Sequence, residues 1–589
     1  MTEQWLLVAP RSNPAMLEMF RDRDRRPLRH MVPWAGEFAG KYLTHAVQIC
    51  RMTGDPALKA HLRWFVNELT SLQDRDGYLG PWPRECRLTG RAPNAGKADG
   101  GPYPTWDAWG HYHIMLGLLF WHGLTRDRRA LSCARRIGDL FCATFLKTGR
   151  RLVETGSEEM NLAPIHSLCL LYQQVGDPRY LEMAREIERD FETPPAGDYV
   201  RTALNGLEFY QTPKPRWESL HPIQGIAELY FITGDERYRR AFEHIWWSIL
   251  RTDRHNTGGF SSGEKAQGDP YHQGAIETCC TVAWMALSVD MLRMTGNPVV
   301  ADELELSTLN SGIGMMSSSG RWVTYDTPME GHRRASAHDI VFQARAGQPE
   351  LNCCSVNGPR ALGMIGEWAV MSGGEGLVLN YYGPGRATAS LNSGNRVLVE
   401  QVTDYPRSGR VMIRVWPRKS EDFPLRLRIP CWSARTRASL NGKSLGTPGP
   451  AGYLEIDRRW ARGDLVCLRL DMSFHFWPGE GAFEGKCSIF RGPILLAFDP
   501  RFNEMDPEDL PALDARRMKG RAIRNKRWLP PWMMWEFTAD DGRKVRLCDF
   551  GSAGAGGNPY RTWLDARGVS PTRFSEKNPL RTGRPSGIE

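Results

Sequence analysis

A short turn signature recurs through the first half of the chain and limits what that half can fold into. It reads Thr53-Gly54-Asp55-Pro56, Thr125-Arg126-Asp127, Val175-Gly176-Asp177-Pro178, Thr233-Gly234-Asp235 and Thr295-Gly296-Asn297-Pro298, at steps of 72, 50, 58 and 62 residues. Glycine suits the left-handed residue that ends a helix, Asp or Asn suits the N-cap of the next, and proline suits its first position. Each signature therefore predicts a tight turn between two helices. Leu58, Leu62, Phe65, Leu69 and Leu72 follow the first turn at the spacing of an amphipathic helix, and Leu131, Ala134, Ile137 and Phe141 follow the second. Five turns with helical text on either side predict about six helical hairpins closing into an (α/α)6 barrel over residues 1–375.

Near residue 375 the apolar period changes from helical to alternating. Val411, Ile413 and Val415, then Leu425, Leu427 and Ile429, then Val466, Leu468, Leu470 and Met472 predict half-buried strands. Asn441-Gly442 is a hairpin dipeptide, and Arg462-Gly463-Asp464 reads as another turn. The expected fold is thus multidomain α plus β. A β-sandwich domain covers 376–474, and a second β-rich domain covers 475–589, its strand text beginning near Lys486 and ending in a mobile tail after about residue 568.

Composition narrows the class. With 76 Lys+Arg against 67 Asp+Glu over 589 residues, the excess of +9 is too small to demand a phosphate-backbone partner, so no nucleic acid is expected. The basic run Arg516, Arg517, Lys519, Arg521, Arg524, Lys526, Arg527 reads as a solvated loop. No apolar stretch approaches the roughly 18 residues of a membrane span, and Leu6 to Ala9 is too short for a signal-peptide core. Thirteen cysteines without an export signal point to reduced thiols and a cytoplasmic protein.

Those cysteines include two adjacent pairs, Cys279-Cys280 and Cys353-Cys354. Glu277, Cys279, Cys353 and Cys354 make a donor set for four-coordinate zinc, which accepts sulfur and oxygen from distant segments. Two other readings stay open: buried unpaired thiols, and a metal that is only structural. Cys280 reads as a small buried residue of the following helix. The glycine-rich run Gly258-Gly259-Phe260-Ser261-Ser262-Gly263-Glu264 places a carboxylate on a loop shortly before the cluster, where it could donate and accept a proton. The 21 tryptophans include Trp106, Trp109, Trp246, Trp247 and Trp284 in the helical half, mostly core residues with a minority expected at a sugar site.

Gly263-Glu264, Glu277-Thr278-Cys279, the helix text from Asp302 to Asn310, Cys353-Cys354, Pro33-Trp34-Ala35-Gly36-Glu37-Phe38 and Leu425-Arg426-Leu427-Arg428-Ile429-Pro430 together resemble glycoside hydrolase family 127, the β-L-arabinofuranosidase family. The resemblance covers most of the chain. It implies an (α/α)6 barrel followed by β-sandwich domains, with Zn2+ held by Glu277, Cys279, Cys353 and Cys354. It further implies that Cys353 is the nucleophile, that Glu264 is the general acid/base, and that His113, His221, Glu305 and Tyr325 line the sugar subsite. A thiol with pKa about 8.5 is mostly protonated at neutral pH and is deprotonated on zinc, which also shares its charge and tempers its nucleophilicity.

Three departures from the family pattern bear on the substrate. The loop between Glu264 and Glu277 is shorter, Asn161 stands in place of a sugar-contacting His, and Ser355-Val356-Asn357 replaces a proline-rich continuation. The expected activity is a retaining exo-glycosidase that releases terminal β-L-arabinofuranose from an oligosaccharide or glycoconjugate. Alternatives are a relative cleaving another pentose or deoxysugar, a toroid enzyme with zinc-activated water, and a glycan-binding scaffold with structural zinc. The C-terminal β domains have two readings, a homodimer interface or a brace for the barrel.

Overall fold

The computed structural model describes residues 1–96, 101–333, 352–373, 376–526 and 529–569. Every turn of the repeat has the chemistry its residues dictate. Gly54, Arg126, Gly176, Gly234 and Gly296 take left-handed φ between 61° and 73°. Asp55, Asp127, Asp177, Asp235 and Asn297 then accept backbone N–H bonds as N-caps of the next helices. The helices Glu37–Thr53, Asp107–Thr125, Pro164–Val175, Leu220–Thr233 and Thr278–Thr295 precede the turns, and each packs on the next. Arg360–Gly363 touches both Thr278–Thr295 and Glu37–Thr53, which brings the chain back to its first long helix. These helices are buried on nearly every side, whereas their partners Pro56–Ser71, Arg128–Phe145, Pro178–Asp190 and Glu236–Thr252 bury one stripe and expose the other. Glu37–Thr53 and Asp107–Thr125 approach so closely that a Cβ on Gly40 would lie 2.2 Å from the carbonyl carbon of His113. Only glycine fits there.

From Val370 the chain turns to strands. A six-stranded antiparallel sheet runs in the order Lys443–Gly446, Arg437–Leu440, Asp464–Arg469, Arg410–Pro417, Arg396–Thr403, Gly385–Ser390. A four-stranded sheet runs Gly452–Trp460, Glu421–Ile429, Gly376–Leu379, Val370–Gly373. Val399, Val411, Ile413 and Val415 from the first share one core with Leu377, Leu425, Leu427 and Trp460 from the second. Asn441 and Gly442, both at positive φ, close the hairpin in which Leu440 pairs with Lys443. Leu470 and Met472 continue the alternation past the strand end at Arg469. The third sheet starts at Phe474–Pro478, ahead of Lys486, because that strand pairs with Lys486–Arg491. Arg516, Arg517 and Arg521 of the basic run are exposed and pair with Asp514 and Glu536. Arg527 and the tail from 570 lie outside the described residues. Among the described residues no helix is long and apolar enough to cross a membrane.

The β half is tied to the helices by buried polar contacts. Asn310 accepts from the Leu495 N–H at 2.8 Å and donates to the Pro493 carbonyl at 2.9 Å. Arg428, fully buried, pairs with Asp302 and, at 2.7 Å, with Glu305. Glu305 also accepts from the Tyr405 hydroxyl at 2.5 Å and the Trp432 indole at 3.4 Å. The carboxylate of Glu305, expected at the sugar subsite, bonds strand residues and joins helix Pro298–Ser307 to the sheets. Burial pushes Asp302 up to about 6 despite the Arg428 charge. Trp246, Trp247 and Trp284 are core residues, Trp246 stacking on Trp284 at 5.3 Å.

Candidate active site

Glu277 is the N-cap residue of helix Thr278–Thr295, yet its carboxylate makes no capping bond. It turns instead to the thiols. Cys279, in the first turn of that helix, has the helix's positive end beside it. Cys353 and Cys354 sit in a turn closed by reciprocal bonds between Asn352 and Ser355, at 3.0 and 2.9 Å. The four donor atoms lie within 4.8 Å of one another, all buried. Cys279 Sγ and Cys353 Sγ each stand 3.8 Å from Cys354 Sγ, and Glu277 Oε1 stands 3.7 Å from Cys353 Sγ and 3.3 Å from Cys354 Sγ. Zinc bonds of about 2.3 Å to sulfur and about 2.1 Å to oxygen, at the tetrahedral angle, space sulfurs about 3.8 Å apart and sulfur from oxygen about 3.6 Å. Four of the cluster's six edges are close to these values and the other two lie within 4.8 Å, so these residues could hold a metal ion. Burial drives Glu277 well above the usual carboxylate range, reinforced by the Cys279 charge. Burial opposes ionisation of Cys279, but bonds from Cys353 and Cys354 and the Lys41 charge hold it well below the thiol range. Of the three cysteines Cys353 is 7% exposed as a residue, whereas Cys279 and Cys354 are 0%. Cys280 is buried and bonds the second Glu277 oxygen at 3.6 Å.

The carboxylate of Glu264 is accessible, its side chain 34% exposed. Gly263 and Glu264 both take left-handed φ, 67° and 68°, a bend that a glutamate adopts only at a cost. Three contacts hold it there. Tyr325 donates its hydroxyl to Oε1 at 2.7 Å, Arg216 donates to Oε2 at 2.9 Å, and the Trp217 N–H donates to the Glu264 carbonyl at 3.2 Å. Tyr325 is placed by the Thr278 N–H, which donates to its carbonyl at 2.8 Å, so metal-binding helix and acid loop share one anchor. Arg216 also bonds Glu218 at 2.8 Å, and burial pushes Glu218 up to about 7. Arg216 and Glu218 were not foreseen; a charged pair two apart just before an apolar helix was their only sequence signal.

A wall of rings continues from Trp217. Its ring centroid lies 5.8 Å from Trp109 and 5.8 Å from His221. His113 and His221 meet the Trp109 ring at 4.4 and 4.9 Å and each other at 5.3 Å. Tyr112 bonds both His221, at 2.8 Å, and His166, at 3.1 Å. Burial and then the Lys41 charge keep His113 neutral; burial, Arg360 and Lys41 do so for His221. Lys41 stands in the same wall, 2.9 Å from Glu37 and over the faces of Trp217 and Trp109. Glutamate and lysine four apart, flanking Phe38-Ala39-Gly40, could have marked this pair. Asn161 is structural: it accepts from the Trp109 N–H and donates to the Thr105 and Gly156 carbonyls. His111 is likewise consumed, accepting from the Leu79 N–H at 3.0 Å.

His255 opens the loop that carries Glu264 and donates Nδ1–H to the Pro270 carbonyl at 2.8 Å. Burial lowers its pKa to about 4 from 6.5. The folded state binds fewer protons than the unfolded chain below pH 6.5, so stability present above that pH is lost as pH falls towards 4. Between pH 7 and pH 5 the parent protein is expected to lose about 2 kcal/mol more than His255→Asn, measured by urea unfolding. Parallel losses in both proteins would remove His255 from the acid limb.

The family described as β-L-arabinofuranosidase, GH127 catalytic domain, matches residues 7–367, and the GH127 middle domain matches 376–472. A GH127 β-L-arabinofuranosidase from Geobacillus stearothermophilus T6 is similar in structure, with 20% identity, a TM-score of 0.76, and 95% of each chain covered. A second structure, the GH127 β-arabinofuranosidase BT3674, has 18% identity and a TM-score of 0.76 over 95% of this chain and 93% of its own. These likenesses show a shared fold. No curated protein matches the sequence. Since the catalytic-domain family alone accounts for more than half of the chain, the protein belongs to the GH127 glycoside hydrolases, the β-L-arabinofuranosidase family.

Proposed function

We propose that this glycoside hydrolase releases terminal β-L-arabinofuranose from an oligosaccharide or glycoconjugate, with retention, using zinc and the Cys353 thiolate. The observation that carries this reading is the buried Glu277–Cys279–Cys353–Cys354 cluster, with the accessible Glu264 carboxylate linked to it through Tyr325 and Thr278. When bound, zinc would keep the thiols ionised and fix their positions. Cys353, the one cysteine of the three with residual exposure, attacks the anomeric carbon; the glycosidic C–O bond breaks and its oxygen takes the proton of Glu264. Glu264 then deprotonates a water that displaces the Cys353 sulfur, returning thiolate, free sugar and protonated Glu264. Tyr325 and Arg216 orient the carboxylate, while His113 and His221 face the sugar.

The fold that supports this is read as an (α/α)6 barrel over 1–375, a β-sandwich over 376–474 and a second β-rich domain over 475–589. Support comes from the ring of successive helix contacts and from the core shared between two sheets. A cytoplasmic setting suits thirteen cysteines that are all free.

The test is release of nitrophenol from an aryl β-L-arabinofuranoside by zinc-loaded, reduced enzyme, with metal analysis and mass spectrometry of acid-quenched protein. Turnover, bound zinc and a pentosyl adduct on the Cys353 peptide are expected. Turnover without adduct under trapping conditions would shift the mechanism to activated water. An inactive parent would overturn the substrate and point to other pentoses or deoxysugars.

A further inference from the structure

Glu37 and Lys41 form a fully internal ion pair, each 1% exposed, on helix Glu37–Thr53. As a stabilising device such a pair has little to recommend it, because apolar residues of the same volume are commonly as good or better. Its saturation is also incomplete. Glu37 Oε2 takes both Lys41 and the Trp109 indole N–H, but Oε1 has no partner among the described residues. The Lys41 ammonium has three donors and makes one ion pair among the described residues; it lies over the faces of Trp217 at 5.0 Å and Trp109 at 5.5 Å, and its charge also reaches Cys279 and Cys353. Among the described residues Nε2 of His113 and Nε2 of His221, on the rings that meet Trp109, also have no partner. Buried polar groups left unpaired are rare, and here three such atoms and a partly satisfied ammonium gather about one indole.

We propose that Glu37 and Lys41 contact the glycone, reading a pair of its hydroxyls, and thereby set the enzyme against deoxysugars. This rests on the glycosidase reading above and narrows it. The pair is linked to the acid through one residue, since Trp217, whose ring lies under the Lys41 ammonium, donates its N–H to the Glu264 carbonyl. Its chemistry selects the ligand. A carboxylate acceptor beside an ammonium donor suits neighbouring hydroxyls, one giving its proton to Glu37 Oε1 and the other accepting from Lys41 Nζ. An anionic ligand would meet the Glu37 charge, and a purely apolar one would leave the pair unsatisfied. Indole faces of Trp109 and Trp217 suit the C–H side of a sugar ring. A site built to bond a hydroxyl rejects the analogue that lacks it by far more than an apolar pocket can.

The double variant Glu37→Gln/Lys41→Met removes both charges and keeps the shape, so a merely structural pair predicts an unchanged or raised Tm and unchanged sugar recognition. Zinc-loaded parent and variant are compared on an aryl β-L-arabinofuranoside and its 2-, 3- and 5-deoxy analogues. The parent should disfavour at least one analogue by about 10³-fold in kcat/KM. The folded, zinc-retaining variant should lose about 10³-fold on the full sugar, and its discrimination should shrink to under about tenfold. Intact discrimination in the variant, or none in the parent, overturns the proposal. Should the double variant not fold, Glu37→Gln alone is read by the same ratios. A parent inactive on arabinofuranosides refutes the substrate assignment separately. Calorimetry with free L-arabinose, D-xylose and L-rhamnose then decides the proposal: binding weakened by at least about 10²-fold in the variant upholds it. Equal affinity, or no binding to the parent, overturns it.

Discussion

Cys353→Ala is expected to lower kcat/KM on an aryl β-L-arabinofuranoside by about 10⁵-fold, the scale of losing a nucleophile whose partners stay in place. Glu264→Ala should cost about 10³-fold, as general acid–base catalysis supplies less. The two losses should differ in kind. Without Glu264 the first step still proceeds for a phenol leaving group, so the pentosyl adduct accumulates on Cys353; without Cys353 there is none. Cys354→Ala, which removes a fully buried donor, should release the metal as well as the activity. Steady-state kinetics, zinc content and intact mass on the same preparations separate these cases. Cys353→Ala with bound zinc and more than about 1% of parental kcat/KM would assign the nucleophile elsewhere.

The second large effect lies outside the reaction. Arg428→Met leaves Asp302 and Glu305 as buried carboxylates without their cation, and should destabilise the protein by about 3–5 kcal/mol. Adding Asp302→Asn and Glu305→Gln should recover most of this, since neutral residues of the same shape need no counter-charge. Urea unfolding of the three proteins measures both numbers. A loss below about 1 kcal/mol in the single variant would mean that the cluster does not brace the sheets against the helices.

That cluster also shows where a linear reading stops. Glu305 sits in helical text of the resembling segment, which implies a subsite role and says nothing of its strand partners. Its partners Tyr405, Arg428 and Trp432 lie about a hundred residues further on, and only the docking of strands on helix Pro298–Ser307 reveals them. Asn161 is a parallel case, an apparent substitution at a sugar contact whose amide is consumed by three backbone groups.

Turns were legible because their physics is local. A left-handed glycine, an Asp or Asn cap and a proline act within four residues, and the Asn441-Gly442 hairpin within two. Alternating Val411, Ile413 and Val415 likewise declared a strand, because side-chain period is a property of one segment. The chemistry of Glu277, Cys279, Cys353 and Cys354 was written in residue type, but their meeting within 4.8 Å was not. Nor were the grip of Arg216 and Tyr325 on Glu264, and the buried Glu37–Lys41 pair against two indoles. By itself the sequence determined the helical hairpins, the change to strands and the donor types. Tertiary structure decided which donors meet and which charges are buried, because contacts across tens to hundreds of residues depend on how finished elements pack, and local periodicity carries no record of that.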